Sequence, residues 1–514
     1  MKRRHFIASS ALPLLGCETH TDISGGFTGV NTERGHLLRE RSFWPAPSVT
    51  RKTQVLIAGG GVAGLAAARA LHLKGIDDFA LLELEDSVGG NSRAGLVNGI
   101  PFPLAAHYLP LPSDAAPEVQ DLLEELGLRR RVAGRWQYDE RHLCHSPQER
   151  LFFNGAWQDG LLPQQDVGAT TLGQYQKMAQ LVERLRQQAR WTIPSAGRPL
   201  QSVQLELATQ TFASYLDQQG LNDPHLRWYL DYCCRDDYGA DSRGVSAWAG
   251  IHYFASRHGF SAPGAQSQER EAVLTWPEGN AWLTRRMAAP LQERLHCDRV
   301  VLRIERVKHG VEVDAFNALT QSLERWQAQR VVVALPIMVA ARVLQDPPSF
   351  MREATAQIRY APWLVANIHI HSALHDRPGP APSWDNVLYG APGLGYVDAR
   401  HQDLHSVPGA TVLTYYRALG DVPDGRRLLL NRHWSGWRDD ILAELSVAHP
   451  DLARKTSRID ITRLGHAMAI PVPLQTGQQR MQVPSIHRLS FAHSDWAGYS
   501  VFEEAFTLGH RAAV

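Results

Sequence analysis

The stretch Gln54 to Arg93, QVLIAGGGVAGLAAARALHLKGIDDFALLELEDSVGGNSR, constrains the fold more than any other. It reads as strand, glycine turn, helix, strand and a second glycine doublet. Val55 to Ala58 is a short apolar run of the buried-strand kind, and Gly59, Gly61 and Gly64 follow it in G-x-G-x-x-G spacing. Alanine-rich Ala63 to Leu73 predicts a helix, and Phe79 to Leu82 a second strand ending at Glu83. Each glycine has a physical task. The first permits a tight turn, the second lets backbone approach a pyrophosphate, and the third lets helix pack on strand. The helix start at Val62 and Ala63 then faces the phosphates with unpaired N–H groups and the positive end of its dipole. Glu83, 24 positions after Gly59, stands where an acceptor for ribose hydroxyls belongs. A glycine-rich turn without a ligand accounts for the glycines but not for the ordered strand, helix, strand and acid.

The next residues separate the dinucleotides. Val88-Gly89-Gly90-Asn91-Ser92-Arg93 brings a second glycine turn back toward the first. This pattern resembles the flavoprotein amine oxidase superfamily, which includes protoporphyrinogen oxidases and phytoene-type desaturases. In that family an acid-x-x-x-x-V-G-G segment embraces the FAD diphosphate. The resemblance implies non-covalent FAD rather than NAD, held by Gly59, Gly61, Val62, Ala63, Gly64, Glu83, Gly89, Gly90, Asn91 and Ser92. It returns at Phe491 to Val514, FAHSDWAGYSVFEEAFTLGHRAAV, which looks like the family's closing strand, acid, turn and E-x-A helix. Asp495 stands at the acid that relatives use on the ribityl–phosphate region. Ser500 is the expected N-cap of a helix beginning at Val501 and Phe502, whose N-terminus would stabilise negative charge on the flavin pyrimidine by roughly 0.3–2 kcal/mol. Ser494 and Glu504 replace common glycines, and His493 looks like an insertion. Between the ends, Val301-x-x-Ile304, Val311-x-Val313 and Arg330 to Pro336 resemble the segment whose first valine holds adenine through its backbone. Ala105-Ala106-His107-Tyr108, Trp276 to Asn280 and Gly465-His466-Ala467-Met468 echo the family in the expected order. The resemblance runs over roughly residues 52–514 and is diffuse through 140–270.

Met1 to Cys17, MKRRHFIASSALPLLGC, has a basic start, a short apolar run and a small residue before cysteine, the pattern of a targeting segment. Its apolar run is too short for a permanent membrane span. Arg3-Arg4-x-Phe6-Ile7 resembles the twin-arginine export signal, and Leu14-Leu15-Gly16-Cys17 resembles a lipobox with Cys17 as the acylated residue. The expected location is periplasmic or cell-envelope, anchored by lipid at Cys17; ordinary signal cleavage is the alternative. Export of a folded chain suits a protein that acquires FAD in the cytoplasm. Residues 18–50, rich in Gly, Thr, Ser and Pro, read as a linker. A net charge of +1 argues against nucleic acid or a polyanionic partner. Cys144, Cys233, Cys234 and Cys297 form no C-x-x-C pair, so no metal site is expected, and buried free thiols are favoured over a Cys144 bridge.

The expected architecture is α/β (α+β overall): a Rossmann-like FAD-binding domain of three-layer βαβ type, interleaved with a mixed-sheet and helical substrate domain. Its cofactor segments are 51–140, 271–345 and 459–514; 141–270 and 346–458 build the substrate domain, with the pocket between. Asn154-Gly155 between Leu151 to Phe153 and Ala156-Trp157 predicts a hairpin. Leu172, Tyr175, Met178, Leu181, Val182 and Leu185 predict a core-packed helix, Gln204 to Asp231 further helix, and Ile459 to Leu464 the return toward the flavin. Many amine oxidases carry a lysine on the strand after the A-x-P segment, but Tyr360 to Ile370 has none, and Val365 sits near its place. His466, His107 and Tyr108 are the catalytic candidates, with Trp384, Tyr389 and Tyr396 as pocket walls. Gly390 to Gly395 imitates a second fingerprint in letters only. Two functions follow: an FAD oxidoreductase acting on an amine or on a C–N or C–C bond, passing electrons to oxygen, a quinone or a periplasmic acceptor, or a flavin-bearing envelope scaffold with little turnover.

Overall fold

The structure, a computed structural model, describes residues 22–40, 44–144, 148–264, 272–402, 409–475, 481–483 and 485–513; the expected export signal with Arg3, Arg4 and Cys17 lies outside them. Two large sheets dominate. In the cofactor sheet, Leu295–His296, Phe79–Leu82, Val49–Ala58, Ser322–Val333 and Leu489–Phe491 run parallel in that order. Arg299–Val307 and Gly310–Asn317 extend it as an antiparallel meander. Strands from three separated stretches of sequence therefore share one sheet, as the expected interleaving requires. Val55, Leu56, Ile57 and Ala58 are fully buried, which explains their continuous apolar run: a central parallel strand is covered on both faces. The closing helix Phe502–Ala513 lies against the glycine-turn helix Val62–Leu73, and the approach is close. A Cβ on Gly509 would fall 2.0 Å from the carbonyl oxygen of Ala63.

The second sheet has eight strands among the described residues. Thr456–Ile470, Arg359–Ile370 and Thr411–Ala418 form its centre, and Glu149–Phe153 with Ala156–Asp159 its far edge. Asn154 and Gly155 both have positive φ, 50° and 82°, the geometry a tight two-residue hairpin needs. On one face lies the helix Ala169–Gln188, whose Tyr175, Met178, Leu181, Val182 and Leu185 are buried as the spacing predicts. The further helix expected over Gln204 to Asp231 is built as three, Ser202–Ala208, Phe212–Gln218 and Pro224–Tyr238. Thr211 and Asp223 cap the second and third with their side chains. Residues 390–395 form a loop with no helix after it, and the four cysteines beyond Cys17 are free.

Two boundaries differ from expectation. The segment 18–50 is not a linker where it is described, because Ser24–Phe27 pairs in parallel with Arg458 to Ile461 and Thr32–Glu40 is helical. Thr456–Ile470 belongs to the substrate sheet along its length. The return to the cofactor sheet comes only at Leu489–Phe491.

Candidate active site

The cofactor cradle is assembled from backbone. Gly59 turns the chain with φ +104° and donates its N–H to Leu82 O at 2.9 Å. Gly61 and Gly89 then form a parallel bridge, with Gly89 N–H donating to Gly60 O at 2.8 Å, so the two glycine turns stand face to face. At Gly61 a Cβ would meet nothing nearer than Gly90 Cα at 3.9 Å, whereas at Gly64 it would strike Gly59 O at 1.9 Å. Gly64 thus serves helix packing, and Gly61 opens a space. The helix start at Val62 has no side-chain cap, and Ala63 and Gly64 are buried. An interior helix N-terminus without protein acceptors fits an anionic ligand. The residues present therefore fit the FAD diphosphate.

Glu83 is buried beside this turn. One carboxylate oxygen accepts the Gly60 N–H at 2.7 Å and the other the Glu85 N–H at 2.9 Å. Burial raises its pKa, and these two bonds oppose the rise. Each oxygen keeps a lone pair for a ribose hydroxyl. Val301 is buried on the neighbouring strand, and Arg299 N–H donates to Glu83 O at 2.8 Å.

Asn91 links three motifs that the sequence shows only as separate echoes. Its side-chain amide donates to Ala467 O at 2.7 Å, and its carbonyl accepts the Ala106 N–H at 2.9 Å. Asn280 in turn donates its N–H to Ala106 O at 3.1 Å and its side-chain N–H to Tyr108 O at 2.9 Å. The loop carrying His107 and Tyr108 and the strand end carrying His466 are both anchored to the second glycine turn. One N–H of the Asn91 amide is thereby spent on protein. The Ser92 carbonyl accepts from Thr284 Oγ1 at 2.9 Å.

Asp495 is also turned inward. One carboxylate oxygen accepts the Ile337 N–H at 2.9 Å and the Tyr360 hydroxyl at 2.6 Å, and His493 Nδ1 lies 3.1 Å from the other. Burial would raise its pKa, but His493 and these donors hold it below the usual range. Its expected ribityl contact thus competes with three protein partners. His493, an insertion by letters, stands at the head of the turn as its N-cap residue. Ser500 is not the cap; its hydroxyl accepts the Ala469 N–H at 3.1 Å, and the helix begins at Phe502 with Val501 before it. Glu504 is fully buried and takes hydrogen bonds from the Ser195 hydroxyl at 2.7 Å, the Tyr499 hydroxyl at 2.6 Å and the Ala196 N–H at 3.2 Å.

His107 stacks on Tyr416 with ring centroids 4.4 Å apart, and packs against Tyr108 at 5.1 Å and Trp384 at 5.5 Å. The Tyr416 hydroxyl donates to Ala105 O at 2.9 Å. Burial lowers the His107 pKa to about 4, so the ring is neutral near pH 7. Val365 is fully buried and sits in register opposite Tyr416; the place of the absent lysine is part of this wall. His466 stands edge-on to Tyr360 at 5.5 Å, and its pKa is also lowered to about 4, by burial and then by Arg426, Arg39 and Arg342. Tyr389 belongs to another aromatic group, with Trp228 at 4.5 Å. Tyr396 lies on the opposite face of the sheet, bonded to His449 at 2.8 Å, and is not a pocket wall here.

Three carboxylates complete this wall, none of them marked by a motif. Glu149 and Asp385 are register partners on parallel strands and so project from the same face. Asp236 approaches from the helix Pro224–Tyr238. Burial, then the neighbouring Asp237, pushes the Asp236 pKa up to about 7. Asp385 is raised well above the carboxylate range by burial and by Asp236 and Glu149, and the Tyr416 hydroxyl feels both aspartates. No local pattern flags them: the strand Asp385–Leu388 reads DNVL, with no alternation in its burial.

A profile of the family described as flavin containing amine oxidoreductase matches residues 62–514. Among curated proteins, the chain is 38% identical over 76 residues to protoporphyrinogen oxidase 2, chloroplastic/mitochondrial, of Arabidopsis thaliana, covering 15% of this chain. It is 23% identical over 301 residues to amine oxidase (flavin-containing) B of Cavia porcellus, covering 58% of this chain. The matches span 14% and 53% of those two proteins. Solved structures of putrescine oxidase bound to putrescine and of cyclohexylamine oxidase from Brevibacterium oxydans superpose with TM-scores of 0.67 and 0.64, each at 17% identity over 90% of this chain and 98% of theirs. A fatty acid isomerase from P. acnes does so at 0.60, with 14% identity over 89% of this chain and 97% of its own. At such identities the likeness is one of fold. The profile match, in contrast, runs from the first residue of the glycine-turn helix to the closing helix packed on it, so the chain belongs to the family of flavin containing amine oxidoreductases, with FAD as its cofactor.

Proposed function

We propose that this chain is an exported FAD-dependent oxidoreductase that oxidises an amine. The observation that carries the reading is the aromatic wall of His107, Tyr108, Trp384 and Tyr416 with the half-buried Glu149, Asp236 and Asp385 behind it. Carboxylates crowded in a low-dielectric space repel one another, and a substrate ammonium offsets that repulsion. Aromatic faces add cation–π attraction. FAD supplies the two-electron acceptor. The chain's own residues bind the amine, orient the carbon that loses hydride and exclude water. His107, neutral near pH 7, adds no positive charge to the space where the ammonium would sit, and His466 stands at the second wall. Two structural neighbours are named for amines, putrescine and cyclohexylamine, which favours the same bond class here. Electrons leave to oxygen, a quinone or a periplasmic acceptor.

Val365 in the place of the lysine favours a second reading, a flavin-bearing envelope scaffold or electron-transfer partner with little turnover. Anaerobic mixing of the FAD-loaded protein with putrescine, cyclohexylamine and longer polyamines separates the two. Bleaching of the flavin absorbance by at least one amine supports the oxidoreductase; a flavin left oxidised by every amine while dithionite reduces it leaves the second reading standing.

A further inference from the structure

The segment 23–40 lies before the region matched by the family profile, yet it is built into the molecule at both ends. Its strand Ser24–Phe27 pairs with Thr456–Ile470 of the substrate sheet, and Thr28 N–H continues the ladder to Ile461 O at 2.9 Å. This docking tolerates no side chain at two points. A Cβ on Gly25, φ +135°, would lie 1.9 Å from Ile459 O, and one on Gly29, φ +83°, 2.7 Å from Thr462 Oγ1.

The turn and helix that follow bind the cofactor domain instead. Asn31 N–H donates to the Glu85 carboxylate at 3.0 Å. Arg34 donates to Leu84 O at 3.0 Å and pairs with Asp298 at 2.6 Å. Arg93, the last residue of the second glycine turn, donates to Gly29 O and pairs with Glu85 at 3.4 Å. Leu37 and Trp44 pack on Val300 and Phe316. These contacts fall on the immediate neighbours of Glu83, Gly90 and Val301, the residues of the adenosine half of the cradle.

We propose that residues 23–40 form a strap that sets how tightly FAD is held, with Asn31 and Arg34 as positioning residues for Glu83. The inference rests on the FAD reading of the cradle. The turn Glu83–Asp86 is fixed by the strap before any cofactor arrives, so its ordering entropy is not charged to binding. Linkage makes the effect reciprocal: whatever factor strap closure adds to FAD affinity, bound FAD must add to strap closure.

The test uses the full chain loaded with FAD. Gly25→Val blocks strand docking, Arg34→Met removes the Leu84 and Asp298 contacts, and Arg511→Met, which breaks a surface pair with Glu118 at 2.8 Å, is the control. FAD release is followed by recovery of flavin fluorescence on dilution, and hydrogen exchange is read at the Thr28 amide with and without FAD. Release at least tenfold faster in both strap variants and unchanged in the control is expected, with FAD slowing Thr28 exchange tenfold or more in the wild type. A merely structural segment would not show that protection. Arg34→Met alone suffices if Gly25→Val does not fold. Wild-type release rates in the variants, or Thr28 exchange indifferent to FAD, overturn the strap alone; a wild-type protein that takes up no FAD overturns the cofactor reading as well.

Discussion

Asp495 shows how a residue's chemistry and its direction come from different sources. An acid in the closing motif is legible from the letters, but its aim depends on Ile337 and Tyr360, each more than 130 positions away. Those two donors make a prediction. Asp495→Ala leaves a buried hydroxyl and a buried N–H without an acceptor, at about 1–3 kcal/mol each. Urea unfolding of the apoprotein is expected to show a loss of about 2–4 kcal/mol, and Asp495→Asn, which keeps an acceptor, a smaller one. An unchanged midpoint for Asp495→Ala would mean that the carboxylate serves the cofactor and not the fold. Glu504 makes the same point. Its letter departs from the family pattern, and its partners Ser195 and Tyr499 explain the departure only once the substrate-side loop is seen against the closing helix.

Elements were legible where their cause is local. The Asn154-Gly155 turn needs positive φ at two adjacent positions, and the glycine-turn helix needs small residues on one side; both requirements are written in neighbouring letters. Ser24–Phe27 has no such signature. Its SGGF carries no alternation and leaves both Ser24 and Phe27 exposed, because the strand is held by backbone pairing to a partner more than 430 positions away. The half-buried acids are invisible for a related reason: Glu149 meets Asp385 through strand register alone. Gly509 is the sharpest test of an element contact. Gly509→Val would drive its side chain into the Ala63 carbonyl and part the two helices. A cost of about 3 kcal/mol or more is expected, along with loss of FAD retention, since Val62 to Gly64 form the cradle. Equal stability and equal flavin content in this variant would mean that the helices do not meet as described.

At the scale of the whole molecule, two domains are threaded through one another: the described chain starts on the edge of the substrate sheet at Ser24–Phe27 and finishes against the cofactor half at Phe502–Ala513. That organisation bears on delivery. A fold completed by its last helix suits export after folding, as Arg3-Arg4 and Cys17 propose. Arg3-Arg4→Lys-Lys is therefore expected to strand flavin-loaded protein in the cytoplasm, and Cys17→Ala to leave it exported but unanchored or unprocessed. Fractionation that is identical in both variants and the wild type would refute that route.

The packing of Phe502–Ala513 on Val62–Leu73 also sets a clock. At roughly 5–20 residues per second on the ribosome, the first glycine turn emerges on the order of half a minute or more before the helix that completes it. The nascent chain meanwhile holds an apolar strand and a bare helix face with nothing to cover them. Flavin capture is accordingly expected only once Phe502–Ala513 has been made, and a ribosome-stalled chain lacking that helix should bind a chaperone in place of FAD.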